Sequence, residues 1–247
     1  MKPSPPVSQA LADDRLWLAP HVRACDCGGH VILLDLLHSR YLGIGQPAST
    51  GLAARVVDWP TCDSSGPSFP GKGTPGDLAQ DLLARGLLVR GRMSQLTQPS
   101  LAEPTATIDL NHELARRHLS ARRILQFAAS AATAAWWMRF LCLQAIANAI
   151  VKRRGWQQAA AADPMAAMRS GTAAYEALRP LLLTARKECL LDSLALIAFL
   201  AMEGVFPRWV LGVKTAPFGA HSWVQSGRTV LNDQHEQVRR FRPILVV

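Results

Sequence analysis

Residues 189–203 read CLLDSLALIAFLAME, and residues 220–225, seventeen positions on, read AHSWVQ. The first stretch is almost continuously apolar and too long for a strand, and Gly204 follows it as a helix stop. It reads as a buried helix that begins at Cys189. The second stretch alternates, which places His221, Trp223 and Gln225 on one face of a strand. Further strand-like segments lie at residues 209–213, 228–231 and 241–247. A buried helix followed by antiparallel strands predicts an α+β core for the last quarter of the chain.

That order of elements suits nucleophilic chemistry. A cysteine at a helix start meets exposed backbone N–H groups and the positive end of the helix dipole, both of which favour thiolate over thiol. Arg186 and Lys187 just upstream push the same way. Taken alone, a cysteine is more commonly a small buried apolar residue, and His221 also reads as a satisfied sheet histidine. Together, a helix-borne thiol facing a strand-borne imidazole is the arrangement of papain-like and transglutaminase-like enzymes, in which the imidazole is the general base and an Asp or Asn on the next strand orients it. For that third group the register leaves two readings. Were Ser226-Gly227 a two-residue hairpin loop, His221 would face Asn232 and Asp233 would point to the other side. A longer loop or a bulge brings Asp233 level instead.

The amino-terminal part has a different texture. Residues 21–27, 30–36 and 40–45 read as three short strands, with Gly28-Gly29 suited to a tight turn and His38-Ser39 as a second one. Residues 48–58 have helical character and stop before Pro60, and 61–75 are Pro-, Gly- and Ser-rich loop. Thr74-Pro75-Gly76-Asp77 opens another helix, in which Leu78, Leu82 and Leu83 recur at helical spacing until Gly86, and residues 87–90 form a last strand. These elements predict a small winged-helix-like module over residues 1–95. Residues 96–108, with Pro99 and Pro104, read as a linker, and residues 109–247 as the second domain. The latter opens with a helical region, with breaks expected at Gly155, Pro164, Gly171 and Pro180.

Composition narrows the function classes. Apolar residues make up 49% of the 247 and charged residues 18%, which suits packed cores rather than disorder. The net charge of +9 is uneven: residues 1–95 carry nine basic and eight acidic side chains, the rest eighteen and ten. A DNA-reading wing should itself be basic, so the near-neutral first module argues against nucleic acid. Residues 1–10 lack the apolar run of a secretory signal. The apolar stretch 124–151 is interrupted by Arg139, so a buried or interface helix is expected rather than a membrane span. Five cysteines at irregular spacing suggest reduced thiols and a cytoplasmic protein. Cys25, Cys27 and His30 form half a metal site with no matching second pair, so no metal is expected. GIG at 43–45 and GVKT at 212–215 mimic nucleotide loops without their full spacing and read as turns.

The order CLLDSLAL, LGVK, AHSWVQ and a closing Asn232-Asp233 resembles the lasso-peptide biosynthesis B proteins, with Ser222 and Gln225 where Ala and Glu are frequent. The amino-terminal module is similar to the recognition element that binds precursor leaders. The resemblance implies a transglutaminase-like cysteine protease domain with Cys189 as nucleophile, His221 as base and Asp233 as orienting acid. It implies removal of the leader from a ribosomally made precursor peptide, and a partner cyclase that consumes ATP; no cofactor is implied for this chain. Strand addition of the leader at residues 40–44, with the helix of residues 78–83 closing the groove, would make Arg40, Tyr41, Leu42, Leu78 and Leu82 its binding residues. Two alternatives share the same features: transglutaminase-type acyl transfer, which passes through the same thioester, and a non-catalytic scaffold that delivers the precursor to another enzyme.

Overall fold

The computed structural model describes residues 15–60, 75–91, 99–110, 119–156, 163–181 and 188–247. The chain divides into two compact units, Met1–Thr97 with Thr215–Pro217, and Gln98–Lys214 with Phe218–Val247.

The first unit contains β1 (Leu16–Leu18), β2 (Val22–Asp26), β3 (His30–Asp35), β4 (Arg40–Gly45), α1 (Ala48–Ala53), α2 (Pro75–Ala84) and β5 (Leu88–Arg90). Strands β2, β3 and β4 form an antiparallel meander. Its first turn is the expected Gly28-Gly29, whose backbones sit at φ of 62° and 92°, a region glycine enters without steric cost. At the second turn Asp35 accepts hydrogen bonds from the backbone N–H groups of Leu37 and His38 through Oδ1, at 2.9 and 3.2 Å. Leu16, Val22, Leu33, Leu52, Leu82 and Leu88 are among the side chains of one buried cluster.

Three expectations change here. The helix expected at 48–58 ends at Ala53, and Val56 instead bridges to Leu16. The final strand is not a wing on the meander; it pairs with β1, a strand too short to be legible in the sequence. GIG at 43–45 lies within β4 rather than in a turn. The loop expected at 61–75 lies, up to residue 74, outside the described residues.

The second unit contains β6 (Ala106–Thr107), α3 (Ala121–Phe140), α4 (Leu143–Trp156), α5 (Pro164–Leu178), a 3-10 turn (Arg179–Leu181), α6 (Cys189–Met202), β7 (Arg208–Thr215), β8 (Phe218–Ser226), β9 (Thr229–Val230), α7 (His235–Val238) and β10 (Arg242–Val246). Ser120 caps α3 by accepting from Arg123 N–H, and Asp163 caps α5 by accepting from Met165 and Ala166 N–H, with Pro164 in the first turn. Helix α6 is the centre: every residue from Asp192 to Leu200 is buried, and α3, α4, α5 and β8 pack around it. That explains why its sequence, apart from Asp192 and Ser193, is apolar, since a helix apolar all round must be covered all round. The five strands run in the order β10-β7-β8-β9-β6.

The segment expected as linker is partly built into this sheet. Residues 106–107 form its edge strand, parallel to β9, and the Ala102 carbonyl accepts from Gln225 Nε2 at 2.7 Å. A short polar strand carries no periodicity to reveal it. Gly171 does not break a helix. It lies inside α5 and is buried, because a Cβ there would come within 2.8 Å of Leu200 on α6. Gly212 lies inside β7, not in a turn; a Cβ would meet the Trp223 ring at 2.7 Å and Phe241 at 2.9 Å. The apolar stretch 124–151 is two helices parted at Leu141-Cys142. No helix of the described residues is long and apolar enough to cross a membrane.

Candidate active site

Glu188 precedes α6 with no side-chain bond to the helix start, so Cys189 stands in a first turn whose backbone donors are not consumed by a capping side chain. His221 comes from β8. Its ring lies against Trp223, with centroids 6.2 Å apart and nearly parallel planes, and against Phe241 at 5.1 Å. The Gly212 backbone makes room for Trp223, and Trp223 Nε1 donates to Gln225 Oε1 at 3.0 Å. Glycine, tryptophan and glutamine thus fix one imidazole.

His221 Nε2 and Asp233 Oδ2 are 2.6 Å apart. With Nε2 committed to the carboxylate, Nδ1 is the ring nitrogen left for the thiol, and His221 is hydrogen-bonded to Cys189. Asp233 Oδ1 accepts the backbone N–H of Gln234 at 2.7 Å, so both carboxylate oxygens are used.

The electrostatics follow from these contacts. Burial alone would push the Cys189 thiol up. The His221 hydrogen bond, the Ser222 backbone N–H, the imidazolium charge and the Leu190 backbone N–H outweigh it and bring the thiol below its ordinary value. Burial would likewise lower His221, yet the bonds and charges of Asp233 and Cys189 raise it to about 9. Asp233 is held below the usual carboxylate range because its bonds from His221 and Gln234 overcome its burial. The resting site therefore favours thiolate, imidazolium and carboxylate in a row.

Of the two readings of the third residue, the structure brings Asp233 to the imidazole by a route that neither contains. The turn is Gly227-Arg228, one residue later than expected, since Gln225 pairs with Val230 and Ser226 with Thr229. Pairing continues to Leu231, whose N–H donates to the Val224 carbonyl, and then the chain leaves the strand. Asn232 turns the other way: its Oδ1 accepts the Val224 N–H at 2.8 Å, and its Nδ2 reaches Asp192 Oδ2 at 3.0 Å and Ser193 Oγ at 3.2 Å.

These groups line a cavity of about 730 Å3 that also exposes Glu176, Arg179 and Glu188. Asp192 is buried beneath it, paired with Arg179 at 3.1 Å and accepting from the Tyr175 hydroxyl at 3.0 Å. Burial pushes the Asp192 carboxyl up in spite of the Arg179 charge and the bonds from Asn232 and Tyr175. Helical spacing marks Asp192 and Ser193 in the sequence, one turn after Cys189. Nothing marks Tyr175, Glu176 and Arg179, which lie in a helical region with no motif. Arg186 and Lys187 lie outside the described residues.

Residues 128–246 match the family model of the transglutaminase-like superfamily. They form a transglutaminase-like domain. No curated protein and no solved structure matches the chain. The transglutaminase-like domain includes α6 with Cys189, β8 with His221 and the bend with Asp233, and such a domain is compatible with cysteine-peptidase or acyltransferase chemistry.

In the first unit, Arg40, Tyr41 and Leu42 line a second cavity of about 320 Å3, together with Asp35, His38 and Arg85. Strand β4 is at the edge of its three-stranded sheet. Leu82 differs from the expectation: it is fully buried in the core, where a helix with that periodicity puts its inward leucine, so it offers no surface to a peptide. Leu78 packs partly buried against the same cluster and does not line the cavity. Cys25 Sγ and Cys27 Sγ are 3.6 Å apart. Among the described residues no group of three His, Cys, Asp or Glu is gathered as a metal site would require.

Proposed function

We propose that this protein is a cysteine endopeptidase that removes the leader of a ribosomally made precursor peptide of the lasso class. The observation that carries the reading is the row of Cys189, His221 and Asp233, with His221 hydrogen-bonded to both neighbours and Nε2 only 2.6 Å from the carboxylate. In this mechanism the Cys189 thiolate attacks the scissile carbonyl carbon. His221 gives its proton to the departing amine, and the leader is held as a thioester. Water, deprotonated by His221, then attacks the thioester carbonyl, and the thiolate is released as the leader leaves as its free acid. Asp233 keeps the imidazole in the tautomer that presents Nδ1 to sulfur and stabilises the imidazolium.

The resemblance of the first unit to leader-recognition elements, with an edge strand beside a cavity, supports leader capture by strand addition along β4. Removal of the leader frees an amino terminus, which fits a partner cyclase that consumes ATP and closes a macrolactam ring on it. The superfamily match favours one second reading, acyl transfer, in which an amine rather than water takes the thioester.

The test is incubation of the purified protein with a lasso-type precursor and mass analysis of the products. Hydrolysis yields leader and core whose masses include one water; acyl transfer yields a conjugate of leader and amine. Cys189→Ala protein should show neither, with a loss of about 10³-fold or more. Cleavage by Cys189→Ala at the wild-type rate would refute both readings.

A further inference from the structure

We propose that Asn232 is a positioning residue for this site: its side-chain amide latches the loop carrying Asp233 to the first turn of the helix carrying Cys189, and so sets the spacing of thiol, imidazole and carboxylate. The role in cleavage rests on the peptidase reading above; the latch itself does not.

The bonds point to a part with two directions of reach. Oδ1 of Asn232 accepts the Val224 backbone N–H at 2.8 Å, which ties it to β8 three residues beyond His221. Nδ2 donates to Asp192 Oδ2 at 3.0 Å and to Ser193 Oγ at 3.2 Å, three and four residues after Cys189 on α6. Ser193 Oγ in turn donates to the Cys189 carbonyl at 2.7 Å, one helical turn back. A single side chain thus touches the element of each reacting group, and its own backbone continues directly into Asp233.

A side-chain amide meets both demands at once. The strand end offers a donor and therefore needs an acceptor; the helix offers a carboxylate and therefore needs a donor. Asp192 cannot turn away to solvent. It is buried, and Tyr175 Oη at 3.0 Å and Arg179 at 3.1 Å hold it in place. Arg179 also contacts Glu176 at 3.3 Å, so the anchor on the helix side is braced from α5 and the turn after it. With so short a strand at β9, paired only over Thr229 and Val230, the ladder by itself fixes the chain poorly beyond Leu231. The Asn232 contacts take over where the ladder ends.

The experiment exchanges donor and acceptor across the gap. Asn232→Asp keeps the shape and the acceptor for Val224 but loses the donor and sets two carboxylates against each other. The pair Asp192→Asn/Asn232→Asp restores one donor and one acceptor with roles reversed, while Arg179 keeps Glu176. Three readouts are taken on the full chain. These are alkylation of Cys189 by iodoacetamide against pH, located by peptide mass, thermal melting, and precursor cleavage.

In Asn232→Asp the alkylation midpoint should rise by about one pH unit, making alkylation below it about tenfold slower, and cleavage should fall about 10²-fold. In the exchanged pair both should return to within about threefold of wild type. A general loss of stability would lower melting without moving the alkylation midpoint, and would not be repaired by the exchange. Wild-type alkylation and cleavage in folded Asn232→Asp would overturn the proposal. If that variant does not fold, the exchanged pair decides alone: a wild-type midpoint supports the latch, whereas a shifted midpoint or failure to fold overturns it. Alkylation needs no substrate, so a wild-type protein that cleaves no precursor would refute the peptidase reading and leave the latch test standing.

Discussion

Replacing Asp233 by Asn is the sharpest probe of the charge arrangement, because the volume hardly changes. The carboxylate now accepts from two donors, His221 Nε2 at 2.6 Å and Gln234 N–H at 2.7 Å. An amide has one oxygen for those two places, so one donor must face the amide's own N–H. The imidazolium also loses its charge partner. His221 stands at about 9 against an ordinary 6.5, in spite of burial that would lower it. That difference corresponds to roughly 3 kcal/mol in favour of the protonated ring, shared between Asp233 and the Cys189 thiolate.

The sign comes from the two ionisations. The thiolate–imidazolium pair forms as pH rises through the lowered thiol ionisation and is lost as pH rises through about 9, when the ring gives up its proton. Removing the carboxylate weakens the pair from both sides. The alkaline limb of kcat/KM should move down by about one pH unit or more, and the acid limb should move up. The maximum rate should fall by about 10² to 10⁴-fold. The assay is kcat/KM for the precursor from about pH 5 to about pH 10, with Cys189 alkylation followed over the same range. An Asp233→Asn enzyme whose alkaline limb stays near 9 and whose rate lies within about threefold of wild type would refute the charge-row argument.

Three further perturbations test other parts of the structure. Gly212→Ala places a methyl 2.7 Å from the Trp223 ring that lies along His221, so it should cost about 1–3 kcal/mol, lower the melting temperature by several degrees and slow cleavage; an unchanged melting curve would contradict the packing. Tyr41→Ala should weaken binding of a synthetic leader to full-length Cys189→Ala protein by about tenfold in calorimetry, the loss of one contact residue, whereas Leu82→Ala should instead cost about 2–5 kcal/mol of stability as a core truncation; equal leader affinity with and without Tyr41 would remove β4 from the binding site.

The parts of the fold legible in the sequence are those written by burial. Helix α6 announces itself because a helix covered on nearly every side must be apolar on nearly every side, and β2 to β4 announce themselves as short strand-like runs of which the first two are separated by a Gly-Gly turn suited to positive φ. The failures share a cause. Strand β1 is three residues long and β6 two, too few for any period to be recognised, and each exists because of a partner far along the chain, at residues 88–90 and 229–230. Gly171 reads as a break for the related reason that its smallness serves Leu200, a residue of another helix. Arg179 and Tyr175 are invisible because a buried ion pair has no local signature; their partner Asp192 is 13 and 17 residues away.

The candidate site shows the same division at the scale of two residues. Cys189 and His221 are placed by regular elements, a helix start and an alternating strand, and so can be located from sequence. Asp233 is not. A register argument must extend the strand to reach it, and both registers open to the sequence assume that extension. In the structure the strand ladder ends at Leu231, and side chains rather than a ladder order the next two residues. Asn232 takes the backbone donor that a further strand residue would have paired, and this frees Asp233 to approach the imidazole from a bend. Asn or Asp was therefore never a choice between rivals for one position. The amide has to satisfy the strand and the helix so that the carboxylate beside it can satisfy the histidine.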